Sequence, residues 1–186
     1  MTTAELAFQQ SEIEWLVAET QANTWLSVIG PDDRGMGLCP YVTFYVHHQR
    51  RSYMAVAEKF ISIWERFAEL RDEPFKHVFK SRTQVWLKPT DKRFPPDLRA
   101  EAEYHYKERE SYYLKGTDGD SPDESPRWSY AARVTHVPTL TYSTLKLVFR
   151  HKWYAEGNQE RWKEFVRDCV RLLRPDQCYI DRKSVV

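Results

Sequence analysis

The stretch YVTFYVHHQRRSYMAVAEKFISIWERFAEL, residues 41–70, changes its hydrophobic period part-way along. From Tyr41 to His47 it is aromatic and β-branched, the composition of a strand. After the polar knot His47–Ser52, the residues Tyr53, Val56, Ala57, Phe60, Ile61, Trp64, Phe67 and Ala68 recur at spacings of three and four. That spacing lays them along one face of an α-helix. Pro74 lies just past its end, and RTQVWLKPT follows as a strand closed by Pro89. The expected order is β, α, β over 41–90.

A second stretch repeats the order. In LKLVFRHKWYAEGNQERWKEFVRDCVRLL, residues 145–173, Leu145, Leu147 and Phe149 alternate with Lys146, Val148 and Arg150. Gly157 and Asn158 then offer a turn and an N-cap, Trp162, Phe165, Val166, Cys169, Val170 and Leu173 form a helical stripe, and Pro175 ends it. QCYIDRK supplies a last strand, so a second βαβ unit is expected over 142–182. Two such units with extra strands between them predict an α+β fold: a mainly antiparallel sheet with helices packed on one face. The 186 residues fit a single domain over 1–186.

Outside these units the reading is local. Residues 1–23 hold Glu5, Glu12, Glu14 and Glu19 without a Lys or Arg, and Thr2 with Glu5 has the capping-box spacing, so a helix is expected there. TWLSVIG then reads as a short strand. In RAEAEYHYKERESYYLKG, Ala102, Tyr104 and Tyr106 alternate with charged residues, which suggests a strand with one wet face. TDGDSPDESP, within 116–126, reads as an exposed acidic loop.

The net charge of +1 hides this segregation and argues against a dedicated nucleic-acid binder. Residues 94–126 carry nine acids against four bases, whereas 34–93 and 127–186 each carry twelve bases against six acids. Cys39, Cys169 and Cys178 are odd in number and contain no CxxC, so neither a disulfide framework nor a zinc site is indicated. Lacking an apolar run of membrane length and the basic start of a signal peptide, the chain reads as a cytoplasmic protein.

Few patterns suggest chemistry. His47, His48, Arg50 and Arg51 form one basic knot and His151 with Lys152 another. Phosphate binding by both requires that they meet at one edge of the sheet. Glu101, Glu103 and His105 would share one face of the expected strand, the basis of an alternative reading as a small metal-dependent hydrolase or nuclease. GxSxG, HExxH, Walker and GxGxxG motifs are absent, and neither a cofactor nor a catalytic set is called for. Trp64 and Trp162 fall on helical stripes and are expected in the core, while Trp86, Trp128 and Trp153 stand beside charged or proline-containing segments and are expected to be partly exposed.

This order of pieces, from YVTFYV through VWLKPT and an acidic, aromatic middle to RPDQCYI, resembles the bacterial type VI secretion immunity family, long catalogued as a domain of unknown function. The resemblance spans roughly Tyr41 to Ile180. It implies a protein that is not an enzyme but binds a cognate secreted toxin, in several cases a nuclease, and covers its active or substrate-binding surface. Exposed acidic residues would complement a basic toxin surface, and aromatic ones would anchor the contact. The candidate interface is Glu101, Glu103, Glu108, Glu110, Tyr112, Tyr113, Asp118, Asp120, Asp123, Glu124 and Trp128, with no membrane and no direct nucleic-acid contact expected.

Overall fold

The computed structural model describes residues 37–47, 52–122, 127–136 and 142–185. The expected helix over 1–23, the TWLSVIG strand, His48, Arg50, Arg51, Asp123 and Glu124 lie outside them. Along the chain come β1 (Gly37–His47), α1 (Tyr53–Leu70), β2 (His77–Lys80), a 3-10 turn (Ser81–Thr83), β3 (Val85–Leu87) and α2 (Leu98–Lys107). Then follow β4 (Tyr112–Thr117), β5 (Ser129–Val134), β6 (Tyr142–Val148), α3 (His151–Ala155), α4 (Gln159–Leu173) and β7 (Gln177–Val185). The strands form one sheet in the order β3-β2-β4-β5-β6-β1-β7, and every neighbouring pair is antiparallel. This is the α+β fold that the two repeated stretches predicted.

Each repeated stretch runs strand, helix, strand, and in each the crossover skips strands; in the first, the strand after the helix is β2, which the sequence reading did not expect, and the expected strand around VWL is β3. β6 and β7 run parallel on either side of β1, and β2 lies four places from β1 with β6, β5 and β4 between them. The period-two pattern sets the register. Val42 and Phe44 oppose Leu147 and Leu145 across β1 and β6, and the same row continues to Tyr130 and Ala132 of β5. One face of the sheet is therefore a continuous apolar surface. Val56, Phe60, Ile61, Ile63 and Phe67 of α1 and Trp162, Phe165, Val166, Cys169 and Leu173 of α4 close over it in a single core cluster. Phe67 is its hub, with Phe75, Trp128, Tyr130, Phe149 and Phe165 rings all within 6.2 Å of its own, centroid to centroid.

The helix ends follow the sequence. Ser52 caps α1 by accepting the Ala55 N–H at 3.3 Å, and Asn158 is the N-cap residue of α4, preceded by Gly157 at φ +95°. No helix among the described residues is long and apolar enough to cross a membrane.

One expectation fails locally. The expected strand through Ala102, Tyr104 and Tyr106 is the helix α2. Asp97 caps it, its Oδ1 accepting the N–H groups of Arg99 and Ala100 at 3.1 and 3.0 Å. The cap and the run of Leu, Arg, Ala, Glu and Lys, all good helix formers, outweigh the short alternation. The buried positions, Glu101, Ala102 and His105, have helical spacing.

Candidate functional site

The helix α2 decides what the acidic middle of the chain can do. Glu101 and His105, four residues apart, share its buried side, whereas Glu103 is exposed on the other. Glu101 accepts the Arg82 N–H at 2.7 Å, which pins the 3-10 turn to the first turn of α2. His105 Nδ1 lies 3.2 Å from Glu110 Oε2, and its ring packs against those of Tyr104 and Tyr112. The three groups of the metal-dependent alternative are thus divided between core and solvent. Among the described residues no group of three His, Cys, Asp or Glu side chains is placed to hold a metal ion.

The acidic loop is in part a structural clasp. Asp118, expected at its exposed surface, is buried, and Gly116 and Thr117 belong to β4. Asp118 Oδ1 accepts the N–H groups of Arg127 and Trp128, each at 2.9 Å, and its Oδ2 faces Arg127 Nε at 3.4 Å. Burial pushes this carboxyl above its ordinary 3.8, against the opposing pull of the two N–H groups and the Arg127 charge. Asp120 is exposed and paired with Lys76.

Behind the clasp lies an ion cluster. Arg150 donates to Asp72 at 3.2 Å and to Glu73 at 2.8 Å, and Arg127 donates to Glu73 at 3.2 Å. The Trp128 indole N–H donates to Asp72 at 2.7 Å. The Arg71 guanidinium sits 3.6 Å from the centre of the Phe75 ring, and burial lowers its pKa to about 10, with Asp118 and Asp72 pulling the other way. This cluster explains two failed expectations. Trp128 and Trp153 stand among charges in sequence, yet those charges pair with one another and roof the aromatic core, leaving Trp128 at 0% and Trp153 at 5% exposure. Tyr112, at 1%, is core as well and cannot anchor a partner. Trp86 is half-buried as expected, Trp162 is buried, and Trp64 packs on Phe75 and Tyr130 at the core's margin.

Of the expected interface, Glu103, Glu108, Glu110 and Asp120 remain exposed. Along the chain between Glu103 and Glu108 stands Tyr106, 48% exposed and held by the Tyr53 and His136 rings at 5.6 and 5.8 Å. The sequence reading missed Tyr106 because the strand assignment placed it with buried residues; helical periodicity puts it one turn beyond Glu103. Tyr113 lies on the sheet face turned away from the helices, 5.2 Å from the Lys115 ammonium. That face also carries Tyr41, Tyr45, Tyr142 and Tyr179, with Lys146 over the Tyr41 ring at 5.0 Å. Its signal was the alternation of Tyr41, Thr43 and Tyr45 with Val42, Phe44 and Val46.

Of the two basic knots, the described members His47 and His151 do not meet. His47 pairs with Tyr142 and Tyr41 with Val148, so the antiparallel β1 and β6 carry His47 and the segment leading to His151 to opposite ends of the sheet. The His47 backbone N–H donates to Asp176 at 2.7 Å, and His151 opens the short helix α3. The sheet therefore does not bring His47 and His151 together.

No protein-family model and no curated protein matches the chain. Among solved structures it is similar in fold to the Pseudomonas aeruginosa T6SS (type VI secretion system) protein PA0821, with a TM-score of 0.64 and 16% identity. The match covers 82% of this chain and 42% of that one, so the chain spans less than half the length of its structural neighbour.

Proposed function

We propose that the protein is an immunity protein of type VI secretion, which binds a cognate antibacterial effector and covers its active or substrate-binding surface. The observation that carries the reading is the likeness in fold to a T6SS protein. Two features of the site support it. Glu103, Glu108 and Glu110 flank in sequence a tyrosine already fixed by its neighbours, Tyr106, so little side-chain entropy is lost when it is buried in a partner. Of the α2 groups that suggest catalysis, Glu101 and His105 are engaged in contacts within the fold.

An acidic surface complements the basic surface of a nuclease effector, speeding association and excluding nucleic acid. Such an effector would be met in the cytoplasm. Neither a cofactor nor a metal has a part in this function.

The test is co-expression with the effector encoded beside this gene. Wild-type protein should co-purify with that effector and restore growth. Reversal of Glu103, Glu108 and Glu110 to Lys should slow association at least tenfold at low salt, and Tyr106→Ala should speed dissociation. Failure of the wild type to bind overturns the proposal. So does magnesium- or manganese-dependent hydrolysis of nucleic acid that is lost in Glu103→Ala.

A further inference from the structure

On the face of the sheet that the helices cover, the apolar surface runs one strand past them. Val42 and Phe44 of β1 are buried in the core cluster with α1 and α4, whereas their register partners on β7, Ile180 and Cys178, stay exposed on the same face. Ile180 is 55% exposed, and Val170, on the apolar stripe of α4, is 40% exposed. Val170, Arg171, Arg174, Pro175 and Cys178 line one groove of about 550 Å3 between the end of α4 and the start of β7. Its rim is cationic. Arg167 and Arg174 bracket Val170 along the chain, and neither forms an ion pair among the described residues. The carboxylates nearby are engaged, Asp168 by Arg171 and Asp176 by the His47 N–H. Arg174 closes α4 at φ 45° and ψ 61°, where glycine is the usual residue, so an arginine is held there against backbone strain.

We propose that this groove docks an acidic amphipathic helix of a partner protein, which continues the helical layer over β7. The apolar stripe of that helix rests on Val170, Cys178 and Ile180, and carboxylates beside the stripe meet Arg167, Arg171 and Arg174. A helix suits the groove because its walls, a helix flank and a sheet face, are the two kinds of surface against which α1 and α4 themselves pack. Charge selects the partner. A basic helix with the same stripe brings its cations against the arginines, and the two unpaired ones have nothing nearby to offset the repulsion. The proposal uses no residue of α2 and stands apart from the effector reading.

The test titrates the full chain with a synthetic helical peptide of about 15 residues, with leucines at i, i+3, i+4 and i+7 and glutamates beside them, and with its lysine-for-glutamate counterpart. Fluorescence anisotropy should show saturable binding of the glutamate peptide, about tenfold or more tighter than that of the lysine peptide at low salt. Bound peptide should slow thiol labelling of Cys178, which lines the groove. Arg174→Gly separates docking from stability. Glycine relieves the strain and should raise Tm by about 2–4 °C, while the glutamate peptide should bind about fivefold more weakly. Val170→Glu, at an exposed position, should abolish binding with the circular dichroism unchanged. Absence of saturable binding, equal binding of the two peptides, or Cys178 labelling that stays fast in the complex overturns the proposal. So does an Arg174→Gly or Val170→Glu variant that folds and binds as the wild type does.

Discussion

Replacing Asp118 by Ala should cost far more than its place in a polar loop suggests. The substitution removes the acceptor of two backbone N–H groups, of which that of Trp128 is buried, and takes a counter-charge from Arg127. A buried donor left without an acceptor costs about 1–3 kcal/mol, so two orphaned donors give a loss of about 3 kcal/mol or more. For a chain of this size each kcal/mol moves Tm by about 2–4 °C, and a thermal melt followed by circular dichroism should show a fall of about 6–12 °C. Asp120→Ala should stay within about 1 kcal/mol, because Asp120 is exposed and loses only a surface ion pair with Lys76. The pH dependence has a definite sign. Burial raises the folded-state pKa of Asp118 above 3.8, so protonation favours the folded state. The group's contribution is fully present below pH 3.8 and is lost as pH rises through the folded value. Asp118→Asn should abolish that slope while keeping an Oδ1 that can accept both N–H groups. An Asp118→Ala melt within about 2 °C of wild type, or an unchanged slope in Asp118→Asn, would refute the account of Asp118 as a buried clasp.

Gly116→Ala should destabilise by about 1–3 kcal/mol or more, because a Cβ there would overlap the rings of Phe75 and Trp64; urea denaturation measures it. Phe67→Ala should cost about 3–5 kcal/mol in the same assay, since it empties the space at the centre of five packed rings. Thiol labelling of the native protein at pH 8 should modify Cys178 alone, and all three cysteines once the chain is unfolded. Cys39 and Cys169 are buried, and burial pushes the Cys169 thiol up to about 12; partial burial also raises Cys178, so it should react more slowly than a free thiol.

The scaffold was legible because its period is strong. Tyr41–His47 alternates, the stripe from Tyr53 to Phe67 repeats every three or four residues, and Gly157, Asn158 and Pro175 bracket α4. These signals are local consequences of one-sided burial, so they survive in sequence. The middle of the chain was harder to read. Three alternating residues in α2 imitated a strand, although Asp97 after two prolines and the Ala- and Glu-rich run already marked a helix start. The candidate site suffered most where the environment is made by distant partners. Nothing near Trp128 in sequence shows that Asp72, from the end of α1, accepts its indole N–H, or that Arg150 covers the same corner. Asp118 looked like its neighbour Asp120, yet only one of them faces solvent. Long-range pairing of charges turns apparently exposed residues into buried ones, and a linear reading has no access to it.

The pairing of β1 with β6 and β7 has a consequence for how the protein is made. His47 and its hydrogen-bond partner Asp176 are 129 residues apart. At about 5–20 residues per second, a ribosome needs roughly 6–26 s to go from one to the other. Until β6 is made β1 lacks both of its neighbours in the sheet, and until β7 is made one of them is still missing, so the strand must be kept from pairing elsewhere. The dependence on late-made strands also makes the sheet slow to form in isolation, since loop closure over such distances precedes any gain from pairing. Truncation anywhere before β7 would leave β1 as an open edge, so unfinished chains should be substrates for chaperones and proteases.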